Sequence, residues 1–169
     1  MGKFDYVAPV MKSLVGEPHF HGVAQRPGKP FAFWTTTVGR AVPSAPESSG
    51  KRAIRADDGP AAGGEECKRA IFALPGNPAS VMACLARYVL PALRQMRGES
   101  WQPQHYSLAH DTIWNAPFPG LLASQLNNNQ LHPSPPRNSG DYTALAGSQG
   151  IFELPTTSRS GTLAPFYPW

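Results

Sequence analysis

Proline brackets glycine twice in this chain, at Arg26-Pro27-Gly28-Lys29-Pro30 and at Leu74-Pro75-Gly76-Asn77-Pro78. Each proline fixes φ and removes an N–H, while the glycine between them turns freely, so neither a helix interior nor an inner strand can run through either pentapeptide. The two sites divide the chain into short elements joined by rigid turns. The 19 prolines and 16 glycines make up about a fifth of the 169 residues, against an ordinary share of about an eighth, and they argue against a helical bundle.

The segments beside these turns have strand and helix character. Lys29 to Thr37 (KPFAFWTTT) is aromatic and β-branched, Ala70 to Leu74 (AIFAL) is a short apolar run, and Phe20 to Ala24 (FHGVA) is a third strand candidate. Phe4 to Leu14 (FDYVAPVMKSL) can form a short helix interrupted at Pro9. After the second turn, Asn77 stands at the N-cap and Pro78 at the first helical position. Val81, Met82, Leu85, Val89, Leu93 and Met96 then recur mostly at helical spacing, Pro91 is expected to kink or split the helix, and Gly98 ends it. The alternation of helix and strand predicts an α/β sheet.

Between two of the strands, residues 38–69 hold six basic and five acidic side chains and almost no large apolar residue besides Ile54. Such a stretch cannot bury enough surface to offset its ordering entropy and is expected to be a mobile insertion at the tip of a hairpin. From Trp101 onward the character changes again. Prolines punctuate short apolar pieces, and only five charges remain in 69 residues. This part reads as a small β-rich module, irregular between Trp101 and Leu131, with Ile151–Leu154 and Thr162–Tyr167 as its best strands and Ser160-Gly161 in the turn between them. Trp114, Phe118 and Leu121 are expected in its core.

The net charge of +4 is scattered, with no basic run interleaved with aromatics, which argues against nucleic acid. No stretch approaches the length of a membrane span, and the first residues have no apolar signal region. Cys67 and Cys84 lack CxxC spacing and point to two unpaired thiols in a reducing, cytoplasmic setting. His19, His21, His105, His110 and His132 show no metal-ligand spacing.

The chemistry of the two turns favours an anion. In the second, a helix N-terminus offers unpaired N–H groups and the positive end of its dipole, and in the first, Arg26 and Lys29 add two cations on a restricted backbone. Without a ligand, the same residues make a capped strand-to-helix turn and a rigid surface turn with solvated cations.

The run from His19 to Phe33 (HFHGVAQRPGKPFAF), followed by Phe72 to Met82 (FALPGNPASVM) and Val89 to Arg94 (VLPALR), resembles the molybdopterin molybdenumtransferase family, also called the MoeA or gephyrin E-domain family. That family carries a PGKP turn and an LPGNPxS turn in this order. Gly2-Lys-Phe-Asp5 is similar to the end of its GGVSxGxxD motif, and Asn138 to Tyr142 through Ile151 to Pro155 is similar to part of its C-terminal barrel. Arg26 stands where a Lys commonly precedes PGKP.

The resemblance implies a partial MogA-like molybdopterin-binding α/β domain over residues 1–100, with 38–69 inserted, and a small C-terminal β-barrel domain over 101–169. It also implies the second half of the family's central domain plus the barrel, in proteins more than twice this length, with poor independent stability and little turnover from this part alone. The implied activity is a transferase reaction of molybdenum cofactor biosynthesis, insertion of molybdate into adenylylated molybdopterin (molybdopterin-AMP) with loss of AMP and a requirement for Mg²⁺. Asp5 and Lys29 would be catalytic, and Asp5 would hold Mg²⁺. Arg26, Gly28, Lys29, Pro75, Gly76, Asn77, Pro78, Ser80 and Ser139 would bind the substrates. A homodimer is implied for the full-length family, and the alternative role is a non-enzymatic dimerisation or partner-binding scaffold of the gephyrin type.

Overall fold

The computed structural model describes residues 6–37, 68–138 and 141–169. Asp5, Cys67, Ser139 and nearly all of the 38–69 segment lie outside the described residues. Lys68 and Arg69 are an exception to the insertion as drawn from sequence, because they already belong to a strand.

Helix α1 (Val7–Val15) runs unbroken through Pro9, which the sequence reading makes an interruption. Pro9 falls in the first turn, where a missing N–H breaks no intrahelical bond. The helix ends at Gly16 (φ 92°), whose carbonyl accepts a hydrogen bond from the buried Trp34 indole at 3.0 Å and so ties α1 to the sheet.

Strands β1 (Phe20–His21), β2 (Ala32–Thr37) and β3 (Lys68–Ala73) pair antiparallel in the order β1-β2-β3. β1 is shorter than Phe20 to Ala24 because Gly22 turns the chain at φ +88° and donates to the Phe31 carbonyl. The β2–β3 ladder holds six pairs, from Ala32 opposite Ala73 to Thr37 opposite Lys68. Side chains alternate across β2, so Trp34 faces α1 while Phe31 and Phe33 lie on the other face with Phe72.

Asn77 caps the next helix through a hydrogen bond from Ser80 N–H to its Oδ1 (3.1 Å), and Pro78 is the first helical residue. Helix α2 (Pro78–Cys84) passes into a π-helical segment (Leu85–Val89) and then helix α3 (Leu90–Met96). The expected break at Pro91 takes this form: a proline at 91 cannot donate to the carbonyl four residues back, and the preceding turn widens so that Leu90 N–H reaches Leu85 O. Gly98 (φ 76°) closes α3 in a Schellman motif, with Gly98 N–H on Gln95 O at 2.9 Å and Glu99 N–H on Arg94 O at 3.0 Å.

The buried face of this helix differs from the expected stripe. Ser80, Ala83, Cys84 and Ala86 are buried, whereas Leu93 and Met96 are exposed. Small residues lie inward because the helix approaches a second unit closely, packing Ala83 and Ala86 on Leu121, Ile151 and Tyr167.

That second unit is a closed barrel of β4 (Gln104–Leu108), β5 (Gly120–Asn127), β6 (Gln130–Pro133), β7 (Gly150–Leu154) and β8 (Leu163–Pro168), in the order β4-β6-β5-β7-β8. All pairs are antiparallel except β4 with β6. The chain is thus an α/β unit followed by a small barrel, as the resemblance implies. Leu108, Leu122, Leu131, Phe152, Leu154, Ala164 and Phe166 fill the barrel, with Trp114 packed against them, and Leu121 is buried outside it.

Residues 101–131 are more regular than their sequence suggests. β5 is buried from Gly120 to Ser124, with Leu122 in the barrel and Leu121 against the helix, so it shows no apolar alternation. Asn128 and Asn129, both at positive φ (49° and 59°), form the two-residue turn that pairs β5 with β6.

Candidate functional site

Antiparallel pairing of Ala32 with Ala73 brings the two proline-glycine turns to one end of the sheet, since the first turn leads into β2 and the second leaves β3. The first turn is held from two sides. On the helix side, Gln25 is buried, and its amide donates to Pro27 O (3.1 Å) and lies 3.7 Å from Cys84 Sγ. Gly28 sits at φ +102° against the same atoms, and a Cβ there would come within 2.7 Å of both Cys84 Sγ and Gln25 Nε2. Glycine is therefore required at this close approach. The Cys84 thiol also donates toward Gly28 O at 3.8 Å.

On the barrel side, Arg26 N–H donates to Pro119 O (3.0 Å) and Arg26 O accepts from Leu121 N–H (2.8 Å). Val23 N–H closes the turn on Lys29 O (2.9 Å). With the backbone fixed in this way, the Arg26 and Lys29 side chains remain exposed, and neither takes part in an ion pair among the described residues.

In the second turn Pro75 is buried and Gly76 is exposed, with open space where a Cβ would lie. Asn77 Oδ1 is used by the helix cap, so this residue shapes the turn, and the buried Ser80 hydroxyl lies 3.5 Å from the same oxygen. The fold thus brings together Arg26, Gly28, Lys29, Pro75, Gly76, Asn77, Pro78 and Ser80 from the sequence reading.

The sequence reading gives Gln25 and Tyr88 no role and takes Cys84 only as an unpaired thiol. Tyr88 Oη donates to Gln25 Oε1, and its ring stacks on Phe31 with centroids 4.8 Å apart. Cys84 and Tyr88 stand one turn apart on the same helix, and Gln25 meets them only through the fold. Burial pushes the Cys84 thiol up to about 12 and also raises Tyr88, so both keep their protons as donors near neutral pH.

Among the described residues no group of three or more His, Cys, Asp or Glu could hold a metal ion. His19 bonds Thr35 at 2.6 Å, and His110 lies edge-on to His132. No helix among them is long and apolar enough to cross a membrane.

The family model described as "Probable molybdopterin binding domain" matches residues 1–95. The chain is 31% identical over 176 residues to a molybdopterin molybdenumtransferase of Synechocystis sp., an alignment that covers 99% of this chain and 36% of that protein. It is 32% identical over 98 residues to a gephyrin of Dictyostelium discoideum, covering 58% of this chain and 12% of that one. Among solved structures, a molybdopterin biosynthesis moeA protein from Pyrococcus horikoshii superposes with a TM-score of 0.60 at 20% identity, over 94% of this chain and 33% of that chain. A molybdenum cofactor biosynthesis protein from Pyrococcus furiosus gives 0.57 at 16% identity, over 90% and 45%. The structural likeness establishes the fold, and the chain spans little more than a third of the Synechocystis relative.

Proposed function

The chain belongs to the MoeA-like molybdopterin molybdenumtransferase family of molybdenum cofactor biosynthesis, and we propose that its paired turns hold adenylylated molybdopterin and molybdate while molybdate is inserted and AMP released. The observation that carries this reading is the first turn, whose backbone is fixed by helix and barrel while Arg26 and Lys29 stay exposed beside the second turn.

A phosphate or oxomolybdate dianion is recognised by cations and N–H donors, and charge-assisted hydrogen bonds of this kind are about twice as strong as neutral ones. Lys29 supplies a point charge, and Arg26 a planar fork suited to two oxygens. The open space at Gly76 lets an anion approach the backbone, and Gly28 contributes to the first turn. Pro75, Asn77 and Pro78 shape the second turn, and Ser80 completes its first helical turn. In the same reading Ser139 contacts molybdate and Asp5 is the acidic group. Among the described residues no three His, Cys, Asp or Glu side chains gather as a metal group, and in this reading Asp5, outside them, is the residue that would hold Mg²⁺ beside the substrate oxygens.

Isothermal titration of the chain with molybdopterin-AMP and with molybdate tests the reading. Lys29→Ala combined with Ser80→Ala is expected to weaken binding about ten-fold or more, the scale of one lost charge-assisted contact. Affinity equal to the parent would overturn the assignment.

The scaffold role draws on a different feature. Tyr6, Val7, Val10 and Leu14 of the α1 region are exposed apolar residues, and such a face suits a protein contact. Sedimentation showing a monomer at all concentrations would count against self-association.

A further inference from the structure

We infer that Tyr88 is a positioning residue for the turn that bears Arg26 and Lys29, acting through Gln25. For ligand affinity this rests on the reading of the turns as an anion site; for the hold on the backbone it does not.

Three observations converge. The Tyr88 ring is stacked on Phe31 at 14° between planes, and Phe31 directly precedes β2, so one face of the ring is held against the sheet. The Tyr88 hydroxyl bonds Gln25 Oε1, and the other end of that amide bonds Pro27 O, so the hydroxyl is one bond removed from the turn's own backbone. Burial keeps the hydroxyl protonated, which makes it a constant donor.

Arg87 and Tyr88 stand side by side in the π-helical segment, with the Arg87 guanidinium 5.4 Å from the Tyr88 ring centroid. Arg87, next to Tyr88, pairs with Glu153 of β7 at 2.9 Å and lies 4.7 Å over the Tyr167 ring, while Tyr167 Oη donates to the same carboxylate at 3.1 Å. One widened turn thus ties the barrel through Arg87 and the cationic turn through Tyr88. Widened turns of this kind recur at functional sites because they re-aim side chains that a regular helix would direct elsewhere.

The test uses Tyr88→Phe, which keeps the stack on Phe31 and removes only the hydroxyl. In hydrogen–deuterium exchange, peptides covering residues 23–29 are expected to exchange several-fold faster than in the parent, with β5 and β7 unchanged. Unchanged exchange over 23–29 overturns the inference without any ligand.

In titrations with molybdopterin-AMP, Tyr88→Phe is expected to bind about five-fold more weakly, the scale of one net hydrogen bond. That loss should shrink clearly in a Lys29→Ala background, because Tyr88 acts through the turn that carries Lys29 together with Arg26. A loss that simply adds to that of Lys29→Ala marks a merely structural residue and overturns the positioning role. If Lys29→Ala alone binds like the parent, the anion-site reading fails, and the exchange result still decides whether Tyr88 holds the turn.

Discussion

The sheet and the barrel solve the problem of strand edges in opposite ways. Every barrel strand pairs on both sides, whereas among the described residues β1 and β3 each pair on one side only. Closure lets the barrel bury its own core around Leu108, Leu131 and Phe152. The three-stranded sheet is defined by what leans on it: α1 through Trp34, the long helix through Tyr88 and Phe31, and the barrel through Arg26. Among the described residues, the candidate binding groups lie in the open, dependent unit. A closed unit supplies rigidity, and the first turn, which it braces through Arg26, keeps its two cationic side chains exposed to meet a ligand.

The largest test of this contrast is a cavity in each unit. Phe152→Ala empties the barrel core and is expected to cost about 3–5 kcal/mol in chemical denaturation. Phe33→Ala, only partly buried in the sheet, should cost less, since part of its apolar area already meets water. An equal or larger loss at Phe33 would break the comparison.

Glycine substitutions sharpen it at a smaller scale. A Cβ at Gly150 would lie 2.4 Å from the Tyr167 carbonyl oxygen, so Gly150→Ala must part β7 from β8 and should cost about 1–3 kcal/mol. Gly76→Ala meets nothing within 4 Å and should leave the melting temperature unchanged while weakening molybdopterin-AMP binding. Loss of stability at Gly76 would show that this turn is packed rather than open. Removal of the helix cap by Asn77→Ala is expected to cost about 1 kcal/mol by thermal denaturation, at the helix start that follows the second turn.

The last effect shows only at alkaline pH. The folded Cys84 thiol sits near 12 against an ordinary 9.0, and Tyr167 near 12 against 10.0, both raised mainly by burial. The unfolded chain releases these protons first, so their contribution is complete below pH 9 and is lost as pH climbs toward 12. Cys84→Ala should flatten the early part of that alkaline limb and Tyr167→Phe the later part. Limbs identical to the parent in both variants would exclude these groups as its source.

The local chemistry of the chain was readable where it depends on near neighbours. Asn77 and Pro78 start a helix, Gly98 ends it, and Ile151–Leu154 pairs with the strand after Gly161 because each signal lies within a few residues. β5 was obscured by burial on both faces, and the helix face by small residues that pack closely where a stripe of large ones was expected. Asn128-Asn129 was a readable hairpin signal that composition alone obscured. For the candidate site, sequence supplied the two turns, but Gln25 and Tyr88 are 63 positions apart and meet only in the folded chain.

Thr37 stands opposite Lys68 at the end of six ladder pairs, so the polypeptide on either side of residues 38–67 is joined by hydrogen bonds and packing as well as by the backbone. Extending a connection between ends already held costs only about 0.6 kcal/mol per doubling of its length. A protease cut between them would leave two fragments able to reassemble without a peptide link. One would carry the Arg26 to Pro30 turn and the other the Leu74 to Pro78 turn, and the end of the sheet that bears both would exist only while the two were together.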